Sequence, residues 1–487
     1  MDNQPSDAPL TQTLERFEQA LARLEQARPF AKTSYQGHVL SLARRLMGLE
    51  GGFDHLYDLS ERLDRAGVFA GGDWARPEIL QPSMTANAAR QGDATTVVLE
   101  CLSDIRMLAI ANGHYLHPTV SAENARHFLN QVLALNLDFL FGVPSEADRV
   151  RLGSVADLLR RVYQELAAHI GYGDILDRLI DEVWRILAQR PLVSNAAKMM
   201  VSRIAACQAN PAMQVSGSGR GADRLVSALF SPTNGCREDP GLEIYLERLQ
   251  AMDPNALTQE ALGFARAMHD TGLVSAYHAV FLRHVRDQNF DLVQDALGLS
   301  STGRDSFLSY RELVLALIDA AIHPETADAI YGLALLMERG IMHFPSIAPA
   351  LWRQLHLKIC PQAEARITRV FGTSLSAQAF LVAGVLSVLG QPLGIGQGNN
   401  PTCQAARAIS LWSLNDPDFL LQLITWAARD DNINVQFEDT PISSRDVPPV
   451  AASNAVIDVD VVSVVLVPHL DRIYMEMGRL CAGRGED

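Results

Sequence analysis

Residues 154–170 read SVADLLRRVYQELAAHI, and the spacing of apolar residues in this stretch indicates the fold class. Every fourth residue is apolar: Leu158, Val162, Leu166 and Ile170. This spacing places the four side chains on one face of an α-helix and predicts that this face is buried. Ser154 and Asp157 stand at capping-box spacing, so the serine can accept from a backbone N–H while the aspartate favours the positive helix end.

The same helical pattern extends in both directions along the chain. It is present in residues 14–24, and it recurs in helix after helix between 241 and 369. A glycine- and serine-rich segment at 216–221 indicates a boundary or a loop between these stretches. We therefore predict a helical N-terminal region over 1–215 and a helical bundle or repeat-like region over 240–372.

The C-terminal part of the chain has a different pattern. Residues 456–467 read VIDVDVVSVVLV, and this density of β-branched residues favours a strand. A second strand is expected at 434–437, and the proline-containing segment 440–454 is expected to be a loop. We predict an α+β domain over 373–487. The predicted fold class is mainly α, with a multi-helical N-terminal body followed by a small α+β C-terminal domain.

The charge of the chain argues against two classes of partner. Its 41 lysine and arginine residues are outnumbered by 56 aspartate and glutamate residues, which gives a net charge of −15. Nucleic-acid binding usually needs clustered basic residues, and here they are scattered, so no nucleic-acid partner is predicted. The most apolar run, 377–389, is shorter than the roughly 20 residues that cross a bilayer, so no integral membrane span is predicted.

The cysteines and the N-terminus bear on the compartment. Six cysteines lie far apart without a CxxC pair, which disfavours a disulfide framework and a cysteine-rich zinc site. Residues 1–10 have no basic segment followed by an apolar one, as a secretory signal would. Reduced thiols and a cytoplasmic, bacterial protein are predicted. The alternative is an effector that is exported without a cleavable signal.

One segment concentrates the chemistry of the chain. Residues 390–413 read GQPLGIGQGNNPTCQAARAISLWS. Three glycines permit a tight turn: Gly394, Gly396 and Gly398. Asn400 is the expected N-cap and Pro401 suits the first helical position, so Cys403 is predicted in the first turn of a helix.

A cysteine at the start of a helix has a physical route to reactivity. The unpaired N–H groups and the helix dipole there stabilise an anion, which lowers the thiol pKa. The same N–H groups can stabilise a developing oxyanion. Two alternatives remain open: Cys403 is an ordinary buried residue, or the glycine turn cradles a phosphate.

The segment also resembles a known active site. Gln397, five intervening residues, Cys403 at a helix start and Trp412 further on are similar to the active-site segment of papain-like cysteine hydrolases, in the superfamily that includes transglutaminase-like enzymes. The resemblance covers roughly twenty residues. It implies that Gln397 donates to the oxyanion and that a later histidine is the base; only His469 follows Cys403. Gln404 stands where the family has an aromatic residue.

The resemblance leaves the third catalytic residue open. No asparagine follows His469, so Asp471 is the candidate, with Asp458 and Asp460 as alternatives. Four residues near the thiol are predicted to contact substrate: Arg407, Asn399, Asn400 and Trp412. Arg407 would hold an anionic group, and a surface salt bridge is the alternative role.

Two functions follow as hypotheses. The first is a cysteine-dependent hydrolase or acyl/amidotransferase that acts on a protein or peptide, with Cys403, His469, Gln397 and Asp471 in the site. The second is a non-catalytic helical protein-interaction scaffold. No cofactor and no metal are predicted, because His114 and His117 stand beside a turn without a matching carboxylate spacing.

Overall fold

The computed structural model describes residues 8–82, 93–136, 154–209, 221–398, 402–449 and 459–482. Within these ranges the chain is mainly α-helical, with one two-stranded sheet in a small α+β C-terminal part, which confirms the predicted fold class. The predicted boundary segment 216–221 lies almost wholly outside the described residues.

The chain divides into two compact units. The first comprises Met1–Glu182 and Ser202–Arg220, and the second comprises Val183–Val201 and Gly221–Asp487. Residues 240–372 and 373–487, which the sequence predicted as separate regions, both fall in the second unit.

The first part of the chain contributes nine of the described helices. In chain order they are α1 (Ala8–Gln26), α2 (Lys32–Met47), α3 (Gly52–Asp58), α4 (Ser60–Ala66), α5 (Ala94–Ala111), α6 (Ala122–Leu135), α7 (Ser154–Ile170), α8 (Tyr172–Ala188) and α9 (Asn195–Gln208). The predicted helix over 154–170 is therefore confirmed as α7. Short 3₁₀ helices occur at Pro29–Ala31, Asp73–Ala75 and Pro77–Ile79.

The rest of the chain continues the helical pattern. Its helices are α10 (Ala222–Phe230), α11 (Leu242–Ala251), α12 (Pro254–Thr271), α13 (Ala276–Gln288), α14 (Asp291–Ala296), α15 (Ser301–Ser309), α16 (Arg311–Ala321), α17 (Ala329–Arg339), α18 (Ile347–Leu355), α19 (Pro361–Phe371), α20 (Ala377–Gly390), α21 (Cys403–Asn415), α22 (Pro417–Asp430) and α23 (Val461–Cys481). Its 3₁₀ helices are Pro324–Thr326, Ile341–His343 and Pro392–Gly394.

Helix α5 is the centre of the first unit. Helices α2, α3, α4, α6 and α7 all pack against it. It begins after Asp93, whose carboxylate accepts from the backbone N–H groups of Thr95 and Thr96, as an N-cap should. Because the helix is enclosed, even its charged residues Asp104 and Arg106 are buried.

Helix α20 is the centre of the second unit. Helices α16, α17, α18, α19, α21 and α23 contact it. Two glycines bring α17 and α20 together at the backbone: a Cβ at Gly332 would lie 2.5 Å from the Cα of Ser387, and a Cβ at Gly390 would lie 2.1 Å from the carbonyl oxygen of Gly332. No other residue type fits at these positions without a shift of the helices.

The strand predicted at 456–467 is wrong over its described part, because 461–467 form the start of α23. Asp460 caps this helix by accepting from the backbone N–H and the hydroxyl of Ser463. The valine-rich side chains that follow are all buried, since α23 packs against α19, α20, α21 and α22. A helix buried on all sides shows no polar face in its sequence, and here packing outweighs strand propensity. Residues 456–458 lie outside the described range.

The two-stranded sheet is an antiparallel hairpin. Strand β1 (Asn434–Phe437) confirms the prediction at 434–437. Strand β2 (Thr440–Ser443) lies in the segment predicted as a loop, so that prediction is wrong at its start. The proline that suggested a loop, Pro441, sits in an edge strand, where it is tolerated. No helix among the described residues is long and apolar enough to cross a membrane.

Candidate functional site

Cys403 begins α21, so its predicted place in the first turn is confirmed. Its side chain is exposed. The N-cap is Thr402 and makes no side-chain capping bond, so the helix begins later than the predicted N-cap, Asn400, implied. Asn399, Asn400 and Pro401 themselves lie outside the described residues.

His469 does not follow a strand but lies inside α23, where it is buried. Its Nδ1 lies 2.9 Å from Ser444 Oγ, and its Nε2 lies 3.4 Å from Arg366 Nη2 and 3.4 Å from Asp431 Oδ1. A guanidinium can only donate, so the contact with Arg366 is a hydrogen bond when Nε2 is unprotonated and Nδ1 carries the ring proton, which Ser444 then accepts. Burial and the charge of Arg366 lower the pKa of His469 to about 4.

This environment does not support His469 as the base for Cys403. Both residues are described, and no hydrogen bond joins them; the bonds of His469 go to Ser444 and Arg366. Its one lone pair faces Arg366, and a base with a pKa near 4 takes a proton from a thiol poorly. The predicted thiolate–imidazole pair is therefore not formed in this structure.

Ser444, His469 and Asp431 lie close together, and a serine, a histidine and an aspartate in contact are the residue types of a serine-hydrolase triad. Ser444 is wholly buried, and its Oγ accepts from the backbone N–H of Ile433 at 2.9 Å and lies 3.0 Å from the side-chain oxygen of Asn432. A nucleophile must reach substrate, and this hydroxyl does not. The group instead ties α23 to the start of the hairpin.

The remaining predicted site residues are dispersed. Gln397 and Arg407 are exposed. Trp412 is half-buried and packs edge-on against Phe419, with 5.4 Å between ring centroids, which is a packing role. Asp471 lies two residues after His469 on the same helix, and residues at this spacing do not face each other. Burial raises the pKa of Asp471.

The alternative third residues are no better placed. Asp458 lies outside the described residues, and the carboxylate of Asp460 is occupied in capping α23. Among the described residues, no group of three or more His, Cys, Asp or Glu side chains is arranged to hold a metal ion.

The feature that the sequence did not reveal is a cleft in the second unit, with a volume of about 850 Å³. It is formed by five segments that are distant in sequence: the turn before α9, the 3₁₀ helix Pro324–Thr326 with the start of α17, and parts of α19, α20 and α23. Its size falls in the range of ligand pockets.

One wall of the cleft is basic. Arg366 and Arg369 lie three residues apart on α19, and both line the cleft. Arg366 is held in place by Asp431, whose Oδ1 accepts from Nη2 at 2.6 Å, and by His469. Within the described part of the chain all its side-chain hydrogen bonds use Nη2, while Nε is buried and without a partner. The exposed Arg369 makes no described ion pair.

A second wall of the cleft is acidic, and two of its three carboxylates come from the 3₁₀ helix Pro324–Thr326 and the turn before α17, whereas both arginines come from α19. Glu325 is exposed, whereas Asp328 is paired with Lys198, with 2.7 Å between Nζ and Oδ1, and accepts from the hydroxyl of Ser194. Asp460 is buried at the end of α23 that faces the cleft, and burial raises its pKa. Glu325 is therefore the most accessible negative charge of this wall.

The apolar part of the lining, the floor, comes mainly from α20, which packs against both α17 and α19, and from α23. Helix α20 contributes Phe380, Ala383 and Gly384, and α23 contributes Val461 and Val464. A Cβ on Gly384 would lie 3.0 Å from the Cβ of Val461, so the two helices approach closely beneath the cleft. The site thus combines an apolar surface with charges of opposite sign on its two sides.

Comparison with known proteins adds no relative to this description: no protein-family model, no curated protein and no solved structure matches the chain. The one local signal of the cleft in the sequence is the pair Arg366 and Arg369, whose spacing places both on one face of a helix.

Proposed function

We propose that this chain is a non-catalytic helical binding protein, and that its cleft in the second unit holds a segment of a partner protein or peptide. The observation that carries the proposal is the cleft itself, which has an apolar floor between a basic and an acidic wall. Among the residues that the structure describes, its lining contains serine, threonine and charged residues but no cysteine and no histidine. That composition suits recognition better than nucleophilic catalysis.

A protein or peptide partner fits the charge of the chain better than a nucleic acid does. The net charge is −15, and the lining of the cleft contains two arginines and three carboxylates. A polyanion would be repelled by this balance, whereas a peptide can supply both signs of charge and apolar side chains.

The cysteines support our proposal of a reducing compartment, because all six are without a disulfide. This compartment would be the cytoplasm of the cell that makes the protein or, for an exported effector, the cytoplasm of its host.

The direct test is a selection of peptides that bind the full chain from a displayed random library. Val370 lines the cleft and is exposed, so Val370→Trp should fill the cleft without disturbing the core. We expect the selected peptides to bind this variant about ten-fold more weakly than wild type. The matched control is Leu308→Trp, because Leu308 is exposed on α15 and outside the cleft. Peptides that bind Val370→Trp as well as wild type would refute the proposal.

The second candidate function is that of a cysteine-dependent hydrolase or acyl transferase, with Cys403 as the nucleophile. The observation that favours it is the exposed thiol of Cys403 in the first turn of α21, where the helix dipole stabilises a thiolate. In this conformation the base must be a group other than His469.

The two candidates are separated by the rate at which iodoacetamide labels Cys403 between pH 6 and 9. If His469 is not its base, His469→Gln leaves the labelling rate of Cys403 within about two-fold of wild type at every pH. Exposed Cys403 is compared with Cys360, which is half-buried. Rapid labelling near pH 6 that is lost in His469→Gln would instead establish the catalytic pair.

A further inference from the structure

Arg366 is fixed before any partner arrives. Its guanidinium bridges the cleft and the polar cluster behind it, where Asp431 accepts at 2.6 Å and the neutral ring of His469 accepts at 3.4 Å. These contacts reduce the rotamer freedom that an arginine normally loses on binding. Because its Nη2 is occupied and its Nε is buried, Nη1 is the nitrogen of Arg366 that is left to donate to an entering carboxylate.

Arg369 extends this basic wall towards solvent. It stands one turn after Arg366 on α19 and is exposed at the edge of the cleft. Because Asp431 already neutralises part of the charge of Arg366, Arg369 supplies the wall with its net positive charge. An acidic group that enters the cleft therefore meets one oriented guanidinium and one unneutralised guanidinium.

Glu325 has the corresponding role on the other wall. Among the described residues it makes no ion pair, whereas Asp328, three residues further on, pairs with Lys198 and accepts from Ser194. A simple anion such as phosphate would be attracted by Arg369 but repelled by Glu325 and Asp328. A simple cation would be attracted by Glu325 but repelled by Arg369. Neither a simple anion nor a simple cation therefore complements the whole cleft.

We infer that the cleft recognises a peptide segment with an acidic residue at the Arg366–Arg369 wall, a basic residue at Glu325, and apolar side chains between them on Phe380 and Val464. This inference rests on the proposed peptide-binding function. It adds the order of charges in the partner, which neither the cleft volume nor the apolar floor specifies.

The experiment repeats the peptide selection on charge-reversed variants of the full chain, Arg369→Glu and Glu325→Lys. Both positions are exposed, so the variants should fold, and circular dichroism checks this. We expect peptides selected on wild type to bind each variant about ten-fold more weakly. Arg369→Glu should recover binding when the acidic residue of the peptide is changed to lysine. The neutral variant Arg369→Gln should bind the wild-type-selected peptides with an affinity between those of wild type and Arg369→Glu.

Control variants reverse charges outside the cleft, Glu364→Lys on the exposed side of α19 and Arg353→Glu on α18. Both should bind the peptides as wild type does. If Val370→Trp abolishes binding while all charge reversals leave it within about two-fold, the order of charges is refuted and the peptide cleft stands. If no peptide is selected, or if Val370→Trp has no effect, the proposed function itself fails and the inference falls with it.

Discussion

At the scale of single residues, the sequence located a distinctive thiol but not its chemical surroundings. Cys403 lies at the start of α21 as expected, because glycine turns and helix starts are local features. The surroundings of His469 could not be predicted, because they consist of Arg366, Asp431 and Ser444, which lie far away in the chain. Burial and neighbouring charges are set by the tertiary fold, and no spacing rule predicts them.

A buried carboxylate in the first unit, that of Asp104, should make the stability of the protein depend on pH. Asp104 on α5 is almost completely buried, and neither of its carboxylate oxygens has a well-formed hydrogen bond among the described residues, although the Tyr163 side chain lies close enough to offset part of the pKa shift. Burial, together with the nearby charge of Glu100, raises the pKa of Asp104 well above its ordinary value. The folded protein therefore retains a proton on Asp104 that the unfolded chain releases above about pH 4.

Replacement of Asp104 by Asn should stabilise the protein at neutral pH. Stability that depends on this proton is complete below the unfolded pKa and falls as the pH rises above it, so the gain appears only above about pH 4. We expect Asp104→Asn to raise the free energy of unfolding by about 1–3 kcal/mol at pH 8, with the difference vanishing near pH 4. Urea unfolding of both proteins across this range measures it.

The control for this prediction is Asp177→Asn, at an exposed position of α8. It should change the free energy of unfolding by less than about 0.5 kcal/mol at either pH. An Asp104→Asn variant that is less stable than wild type at pH 8 would show that the ionised carboxylate is needed in the fold.

At the scale of secondary structure, amphipathic helices were predictable, and a helix whose first half is wholly buried was not. The pattern of 154–170 produced α7, because one polar face leaves a period of about four residues in the sequence. Helix α23 has no such face at its start, so valine density suggested a strand. Asp460 and Ser463 were the one local sign of a helix start there.

The contact between α17 and α20 gives a prediction at this scale. The Cβ of Gly332→Ala would fall 2.5 Å from the Cα of Ser387 and must push the two central helices apart. We expect a loss of about 3 kcal/mol or more in the free energy of unfolding, as for other overpacked cores. Thermal or urea unfolding provides the measurement.

Gly478→Ala is the matched control for Gly332→Ala. Gly478 is also helical, but a Cβ there would meet nothing within 4 Å. Since alanine is the better helix former, this variant should gain about 0.5–1 kcal/mol of stability. A Gly332→Ala variant as stable as wild type would mean that α17 and α20 do not pack as closely as described.

At the scale of the whole molecule, the fold class could be predicted and the cleft could not. Helical periodicity repeats along the chain and adds up to a mainly α protein. The cleft instead joins the turn before α9 to residues of α23, segments more than 250 positions apart. Its charged walls form only when these distant segments pack together. Local sequence patterns could therefore predict the position of Cys403 but not the cleft.

The most direct test of the peptide cleft is amide hydrogen exchange of the full chain with and without a peptide from the selection. We predict slower exchange at the walls and floor of the cleft, over 366–371, 324–331 and 461–464, and no change over 403–415. Protection centred on the segment around Cys403, with none at the cleft, would contradict the account and return attention to the cysteine.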